Sequence, residues 1–427
     1  MDISFRICFD EQTQVIYLLV IMENSKVSLL SINKLLLVAG TGWLFDAMDV
    51  GLLSFILAAL KQDWGLSPAQ LGWIGSVNSI GMAVGAFVFG IYADQKGRKS
   101  AFLFTLLMFS IASGLSAFAW GLGSLLVLRF FIGMGLGGEL PVASTLVSES
   151  VAPEVRGRVV VLLESFWAVG WVLAALIAYF LIPLPAVGWR GAMIICAAPA
   201  FYALYLRFSL PDSPTYIQLN SDAKKDSILN KVQSLLSTKF RRQTLMLWIV
   251  WFCVVFSYYG MFLWLPSVMM MKGFGMVKSF EYILLMTLAQ LPGYFTVAWL
   301  IERVGRKWVL VTYLLGTLIS AYLFGVSDSA NQLLFFGALL SFFNLGAWGA
   351  MYAYTPEQYT TNIRATGSGM AASIGRIGGI LGPLMVGLLM ANNVSISTIF
   401  GLFSLSILVA IISIVFLGYE TKQTELK

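Results

Sequence analysis

The chain has 427 residues, 59% of them apolar and only 11% charged. A water-soluble chain carries roughly a quarter of its residues charged, so water is not the solvent for most of this surface. The absence of histidine removes Ser/His/Asp and Cys/His nucleophile systems, His-ligated metals and any histidine proton relay. No Gly-Lys dipeptide occurs, which removes the P-loop of an ATP-driven pump. Cys8, Cys196 and Cys253 are scattered and suggest neither a disulfide framework nor a zinc site. No metal, no cofactor and no catalytic residue are expected, and a carrier fits better than an enzyme.

Each membrane span needs about 20 apolar residues. Apolar segments in chain order predict spans at 35–60, 69–93, 100–120, 124–148, 158–182, 190–208, 244–268, 280–301, 307–326, 332–355, 365–389 and 395–417. The expected fold class is therefore an all-α membrane protein of twelve transmembrane helices. Val15 to Met22 is too short to span, so residues 1–34 read as a tail, with Met22 as an alternative start. Six-helix bundles are expected at 35–208 and 244–417, with a polar linker at 209–243 and a tail at 418–427.

Lysine and arginine collect in cytoplasmic loops. Of the 27 in this chain, only Lys61, Arg190, Lys272 and Lys278 fall in loops or span ends on the side away from the termini, and only Arg129 and Arg376 fall in the interior of spans. Both termini are thus expected in the cytoplasm. The same asymmetry explains the net charge of +6 without a nucleic-acid partner.

The chain repeats itself. Gly90-x-x-x-Asp94-x-x-Gly97-Arg98-Lys99 follows span 2, and Ala298-x-x-x-Glu302-x-x-Gly305-Arg306-Lys307 follows span 8, an offset of 208 residues from Arg98 to Arg306. A repeat of half the chain, six spans per copy, indicates two bundles related by an axis along the membrane normal, with a solute cavity between them. Gly133-Met-Gly-Leu-Gly-Gly138 also satisfies a dinucleotide fingerprint, but no strand precedes it. Inside an apolar helix, Gly133-x-x-x-Gly137 is better read as a close helix-packing face.

The twice-repeated loop resembles the hallmark of the major facilitator superfamily. The resemblance implies a gate in which Asp94 lies near the amino end of span 11 and latches with Arg98 and Glu149; Gly97, Glu302 and Arg306 belong to the same gating loops. Arg129-x-x-x-Gly133-x-Gly135-x-Gly137, Glu149, the turn from Pro153 to Gly157 and Pro211-Asp212-Ser213-Pro214 look like the sugar-porter and synaptic-vesicle-type branch. Span 5 lacks the central Gly-Pro pair of drug/proton antiporters. Thr360 stands where the branch usually carries proline before the turn ending at Arg364.

Ionisable residues at membrane depth carry the functional reading. At about 1.5 Å per residue, Asp46 and Asp49 lie roughly 17–21 Å into span 1, near the midplane of a core about 30 Å thick. With Arg129, Glu139, Glu164 and Arg376 they make six groups, each costing about 2.5–3.5 kcal/mol to insert unpaired. They are expected to face one another or a wet cavity. Asp46 and Asp49 share one helix face, where two like charges raise one proton affinity and an arginine opposes that shift. In proton-driven sugar porters a span 1 aspartate pairs with the span 4 arginine, and Asp49 and Arg129 match those positions. By that resemblance Asp49 is the proton-coupling candidate, with Asp46, Glu139 and Glu164 beside it; a static buried pair is the alternative for Glu139 and Glu164. Arg376 offers a fork for a carboxylate, as in related organic-anion carriers, or a pair with an intramembrane carboxylate. Tyr258 and Tyr259 lie too deep in span 7 for an interfacial belt and are candidates to border a solute ring. Trp348 joins the aromatic set, and Gln290 could donate to a ring nitrogen or bridge helices.

From about Asn33 onward the resemblance narrows. Gly42-Trp-Leu-Phe-Asp46-Ala-Met-Asp49, Gly137-Gly-Glu139-Leu-Pro141, Leu163-Glu164-Ser-Phe-Trp-Ala-Val-Gly170 and Tyr258-Tyr-Gly-Met-Phe-Leu-Trp-Leu-Pro266 look like bacterial niacin permeases. This implies uptake of nicotinate across a bacterial cytoplasmic membrane, coupled to protons, by a carrier expected to act as a monomer in the lipid bilayer. Arg376, or Arg129 once released from Asp49, would hold the carboxylate. Composition and spacing alone reach only a secondary carrier, so other aromatic or organic anions, nicotinamide, sugar-like solutes and, less favoured, drug/proton antiport stay open.

Overall fold

Apolar runs fold as helices throughout the described chain, because in a bilayer every backbone N–H and C=O must be satisfied within its own segment. The computed structural model describes residues 11–96, 98–149, 153–202, 233–360 and 363–422, with side chains described except at 11–35, 38, 90–91, 93–96, 98–99, 139–149, 153–158 and 365. The linker up to residue 232, both chain ends, Gly97 and the side chains of Asp94, Arg98, Glu139 and Glu149 lie outside the described residues.

The first bundle is built from α1 (Glu11–Asp63), α2 (Pro68–Lys96), α3 (Arg98–Ser116), α4 (Leu122–Glu149), α5 (Pro153–Leu181) and the short α6 (Gly188–Ile195). The second is built from α7 (Arg241–Phe262), α8 (Leu265–Met271), α9 (Met276–Leu288), α10 (Gln290–Arg303), α11 (Arg306–Val326), α12 (Ala330–Glu357), α13 (Arg364–Ala391) and α14 (Ile396–Leu417). Among the described residues, nine helices are long and apolar enough to cross a membrane, and Ser100–Ser116 and Leu122–Gly138 are shorter apolar helices. With span 6, described as far as residue 202, these helices fit a twelve-helix fold. From Glu11, the stretch expected as a tail continues as the same helix as span 1.

Three predicted spans are broken rather than continuous. Span 6 turns at Cys196 to Ala198, ahead of Pro199. Span 7 divides at Leu263 and Trp264, because Pro266 has no N–H for the Phe262 carbonyl and its ring crowds that turn. Span 8 divides at Ala289, one turn before Pro292. Pro356 and Pro383, by contrast, sit inside continuous helices.

Spans 1 and 7 are the innermost, with 89% and 72% of their apolar windows enclosed, against 44% for Ile396–Leu417 at the lipid. Small residues let helices close up around them. Gly81, Gly85, Gly133 and Gly137 bring the α2 and α4 backbones together so closely that a Cβ on any of the four would strike the facing backbone, so the packing reading of Gly133 and Gly137 holds. The two bundles meet where α2 packs on α13, α5 on α9 and α10, and α1 on α8. At the face carrying the 1–2, 7–8 and 11–12 loops this seam is tight. Gly72 lies against Gly387, the Ser76 hydroxyl donates to the Ile380 carbonyl at 2.7 Å, and Phe55 meets Phe280 edge-on at 5.0 Å.

Candidate substrate and coupling site

The closest charged contact inside the membrane belongs to the first bundle. Gly135 lets α4 lie directly on α3, its missing side chain leaving room for Phe109 and the Thr105 carbonyl. That approach sets Arg129 beside Asp49 of α1, Nη1 to Oδ2 at 3.3 Å, with both side chains fully buried. Ser113 of α3 donates to the other Asp49 oxygen at 2.8 Å. The second guanidinium nitrogen of Arg129 rests on the Met193 sulfur at 3.1 Å. The structure therefore brings together the two residues expected to pair, through one N–O contact rather than a bidentate fork.

An aromatic box drawn from both bundles fills the centre. The Tyr258 hydroxyl accepts from the indole N–H groups of Trp167 and Trp171, each at 2.8 Å. This ties α5 to α7 and commits the Tyr258 oxygen to the protein. The Trp348 ring lies 4.9 Å from Tyr258, and Tyr352 bridges to Trp251 at 5.0 Å and Trp43 at 6.5 Å. Tyr258 and Trp348 thus stand together in the box.

Arg376 of α13 and Tyr259 of α7 form a second focus beside that box. The charges of Arg376 and Asp46 both act on the Tyr259 hydroxyl. Among the described residues Arg376 makes no ion pair; its Nη1 meets the Met82 sulfur at 3.7 Å. The alternative of a pair with an intramembrane carboxylate is not seen there. Arg129 and Arg376 thus differ in kind: among the described residues, one is matched to a carboxylate, the other to the Met82 thioether and the Tyr259 hydroxyl.

Glu164 of α5 is fully buried next to Trp43, Tyr294 and Tyr352. Neither of its oxygens has a hydrogen-bond partner among the described residues, so the static pair considered for it is not formed there. Gln290 of α10 is in the same condition, buried with both polar atoms unmatched. Asn344, Ser341 and the Tyr294 hydroxyl are also buried and unmatched; the sequence reading missed these three. Ser341, Asn344 and Trp348 recur at helical spacing on α12, and that polar recurrence inside an apolar span was the available signal.

The second copy of the repeated loop lies within the described residues. Gly305 takes φ of 111°, a left-handed conformation that ordinary residues avoid. Arg306 then forks onto Glu302 at 3.0 and 3.1 Å and reaches Glu357 at 3.2 Å. The Arg306 backbone N–H donates to Glu420 at 2.9 Å, and Thr421 donates to Glu357 at 2.6 Å. Glu357 and Glu420 were missed in the sequence, although the 208-residue offset carries Glu149 onto Glu357, Arg156 onto Arg364 and Asp212 onto Glu420.

Two six-helix bundles around a charged and aromatic centre, with the same loop motif repeated in each copy, define a membrane carrier that works by moving one bundle against the other. A family model for the Major Facilitator Superfamily matches residues 40–293 and 281–427, and the chain belongs to that superfamily. It is 66% identical over 398 residues to a putative niacin/nicotinamide transporter, NiaP, of Bacillus subtilis, covering 93% of this chain and 98% of the relative. It is 46% identical to the niacin transporter NiaP of Acinetobacter baylyi, covering 94% and 98% of the two chains. Among solved structures, the proton:xylose symporter XylE bound to 6-bromo-6-deoxy-D-glucose superposes with a TM-score of 0.75 at 15% identity, covering 92% of this chain and 97% of that one. At that identity the likeness supports the fold.

Proposed function

We propose that the protein imports nicotinate across a bacterial cytoplasmic membrane by proton symport, with both termini in the cytoplasm and the monomer as the working unit. Arg376 carries this reading: a half-buried guanidinium at membrane depth, with no carboxylate partner among the described residues, beside the aromatic box of Tyr258, Tyr259 and Trp348. Nicotinate is a flat aromatic monoanion near neutral pH, so a guanidinium for its carboxylate and ring faces for its pyridine complete the match. The names of the two NiaP relatives agree with it. Asp49 is the proton-coupling group in this scheme, held between Arg129 and Ser113. Asp94, Arg98 and Glu149 form the first-copy gate, as Glu302, Arg306 and Glu357 form the second.

The test is counterflow of labelled nicotinate in proteoliposomes against a panel of pyridine carboxylates and amides. Competition by carboxylates and weak competition by nicotinamide are expected. Equal competition by nicotinamide would remove the carboxylate clamp and favour a second reading, nicotinamide transport, which the Bacillus relative's name also admits. In Asp49→Asn, counterflow is expected to persist while proton-driven accumulation is lost; normal accumulation would remove Asp49 as the coupling group.

A further inference from the structure

Met82, on α2, has three hydrogen-bond donors aimed at its sulfur. Arg376 Nη1 lies 3.7 Å from it, the Tyr259 hydroxyl 3.8 Å and the Asn78 amide nitrogen 3.9 Å. The donors come from α13, α7 and α2, so both bundles contribute. A thioether is a weak acceptor, whereas a guanidinium, a phenol and an amide N–H arranged around one point suit a carboxylate, which has about four lone-pair sites to offer. The donor set is that of an anion site, and the group occupying it is a soft neutral side chain.

We propose that the Met82 thioether holds the place of a ligand carboxylate: in the loaded carrier the sulfur swings aside and the carboxylate of an aromatic monoanion accepts from Arg376, Tyr259 and Asn78. This rests on the carboxylate-clamp reading of Arg376 and adds Asn78 and Met82 to it. The Met82 backbone cannot retreat, because Gly137 seats α4 against the Met82 carbonyl and Gly133 seats it against Asn78. The movement therefore falls to the side chain, and methionine, unbranched with three rotatable bonds, is suited to it. Gly379 of α13 packs close to Val255, Tyr259 and Ser79, which lie 3.4–3.6 Å from where its Cβ would stand. The ligand ring then falls beside Tyr259, whose own ring stands edge-on to Tyr258 at 5.2 Å. Met82 acts as an internal competitor that covers the guanidinium when no solute is bound.

The experiment measures binding of labelled nicotinate and of nicotinamide to purified wild type and to Met82→Leu, Met82→Gln and Asn78→Ala. Leucine keeps an apolar side chain of similar volume and removes the competing acceptor, so nicotinate should bind about three- to tenfold tighter. Glutamine supplies a stronger competing acceptor and should weaken nicotinate about tenfold or more. A purely structural role for Met82 would not give shifts of opposite sign. Asn78→Ala should weaken nicotinate about tenfold and leave nicotinamide within about twofold. If wild type binds nicotinate and both Met82 variants stay within about twofold of it, the placeholder is overturned while the clamp survives. Equal loss of both ligands in Asn78→Ala, or no loss, overturns the Asn78 assignment even where a Met82 variant is not recovered. If wild type binds nicotinamide and not nicotinate, the clamp reading itself fails.

Discussion

Replacing Arg129 with methionine, alone and together with Asp49→Asn, measures what holds the first bundle together at its centre. The two charges stand 3.3 Å apart with both side chains fully buried. At an effective dielectric of about 20, unit charges at that separation attract by about 5 kcal/mol. Desolvation costs several kcal/mol per ion and cancels much of this, so the pair as a whole contributes little net stability. Losing one member is different. In Arg129→Met the Asp49 carboxylate keeps Ser113, whose hydroxyl lies 2.8 Å away, but loses its counter-charge, and an uncompensated charge remains, at a cost of about 3–5 kcal/mol. In Asp49→Asn the shape is kept, but the guanidinium is left with the Met193 sulfur at 3.1 Å and a neutral carbonyl. The double variant buries neither charge. It should therefore unfold later than either single variant, recovering at least about 2 kcal/mol of the single losses. Thermal unfolding in one detergent at fixed salt, followed by tryptophan fluorescence, provides the order of midpoints, which suffices for the comparison. Losses in the double variant equal to the sum of the singles would show that the two side chains act independently and would refute this account.

Three further outcomes follow from single contacts. Tyr258→Phe removes the oxygen that receives two indole donors at 2.8 Å, and should lower stability by about 1–3 kcal/mol for each orphaned donor; an unchanged unfolding midpoint would mean the indoles find other partners. Gly305→Ala forces a Cβ into φ of 111° and against Glu420; a loss of about 1–3 kcal/mol is expected, read as an earlier midpoint with the α10–α11 turn exposed to proteolysis. Glu357→Gln leaves Arg306 its fork to Glu302 at 3.0 and 3.1 Å and should cost only about 1 kcal/mol in a group still partly exposed, while changing the rate of nicotinate counterflow by loosening the gate. A variant with unaltered exchange rate would place Glu357 outside the moving contact.

The spans were legible because lipid demands a long apolar run and almost nothing else in a sequence supplies one. Their breaks were not. Pro266 and Pro292 divide spans 7 and 8, yet Pro383 lies in a helix that runs through to Ala391, and no local feature separates the two cases. Neighbours decide: Pro383 is held where Gly72 and Gly75 of α2 close on it. Asp49 and Arg129 were legible because charge in an apolar span has to be answered. Met82 was not, since an apolar residue at an apolar position gives no signal until the donors around it are seen.

The repeat shows which parts of the site the fold imposes and which the solute imposes. The offset of 208 carries the proposed gate residues of one copy onto those of the other, Arg98 onto Arg306 and Glu149 onto Glu357. A gate worked by two bundles rocking about a common axis needs matching contacts on both, so its residues repeat. The same offset carries Asp49 onto Ser257 and Arg129 onto Gly337, and it traces Arg376 back to Ala168. Charges at depth are therefore not repeated. A solute with a carboxylate at one end and a ring at the other has no two-fold symmetry, and a carrier that fixes its orientation must break the symmetry of its own repeat there. On that argument the matched pair of the first bundle and the guanidinium of the second have different duties. Placing a carboxylate at Ala168, the position equivalent to Arg376, should abolish nicotinate binding without reversing its orientation.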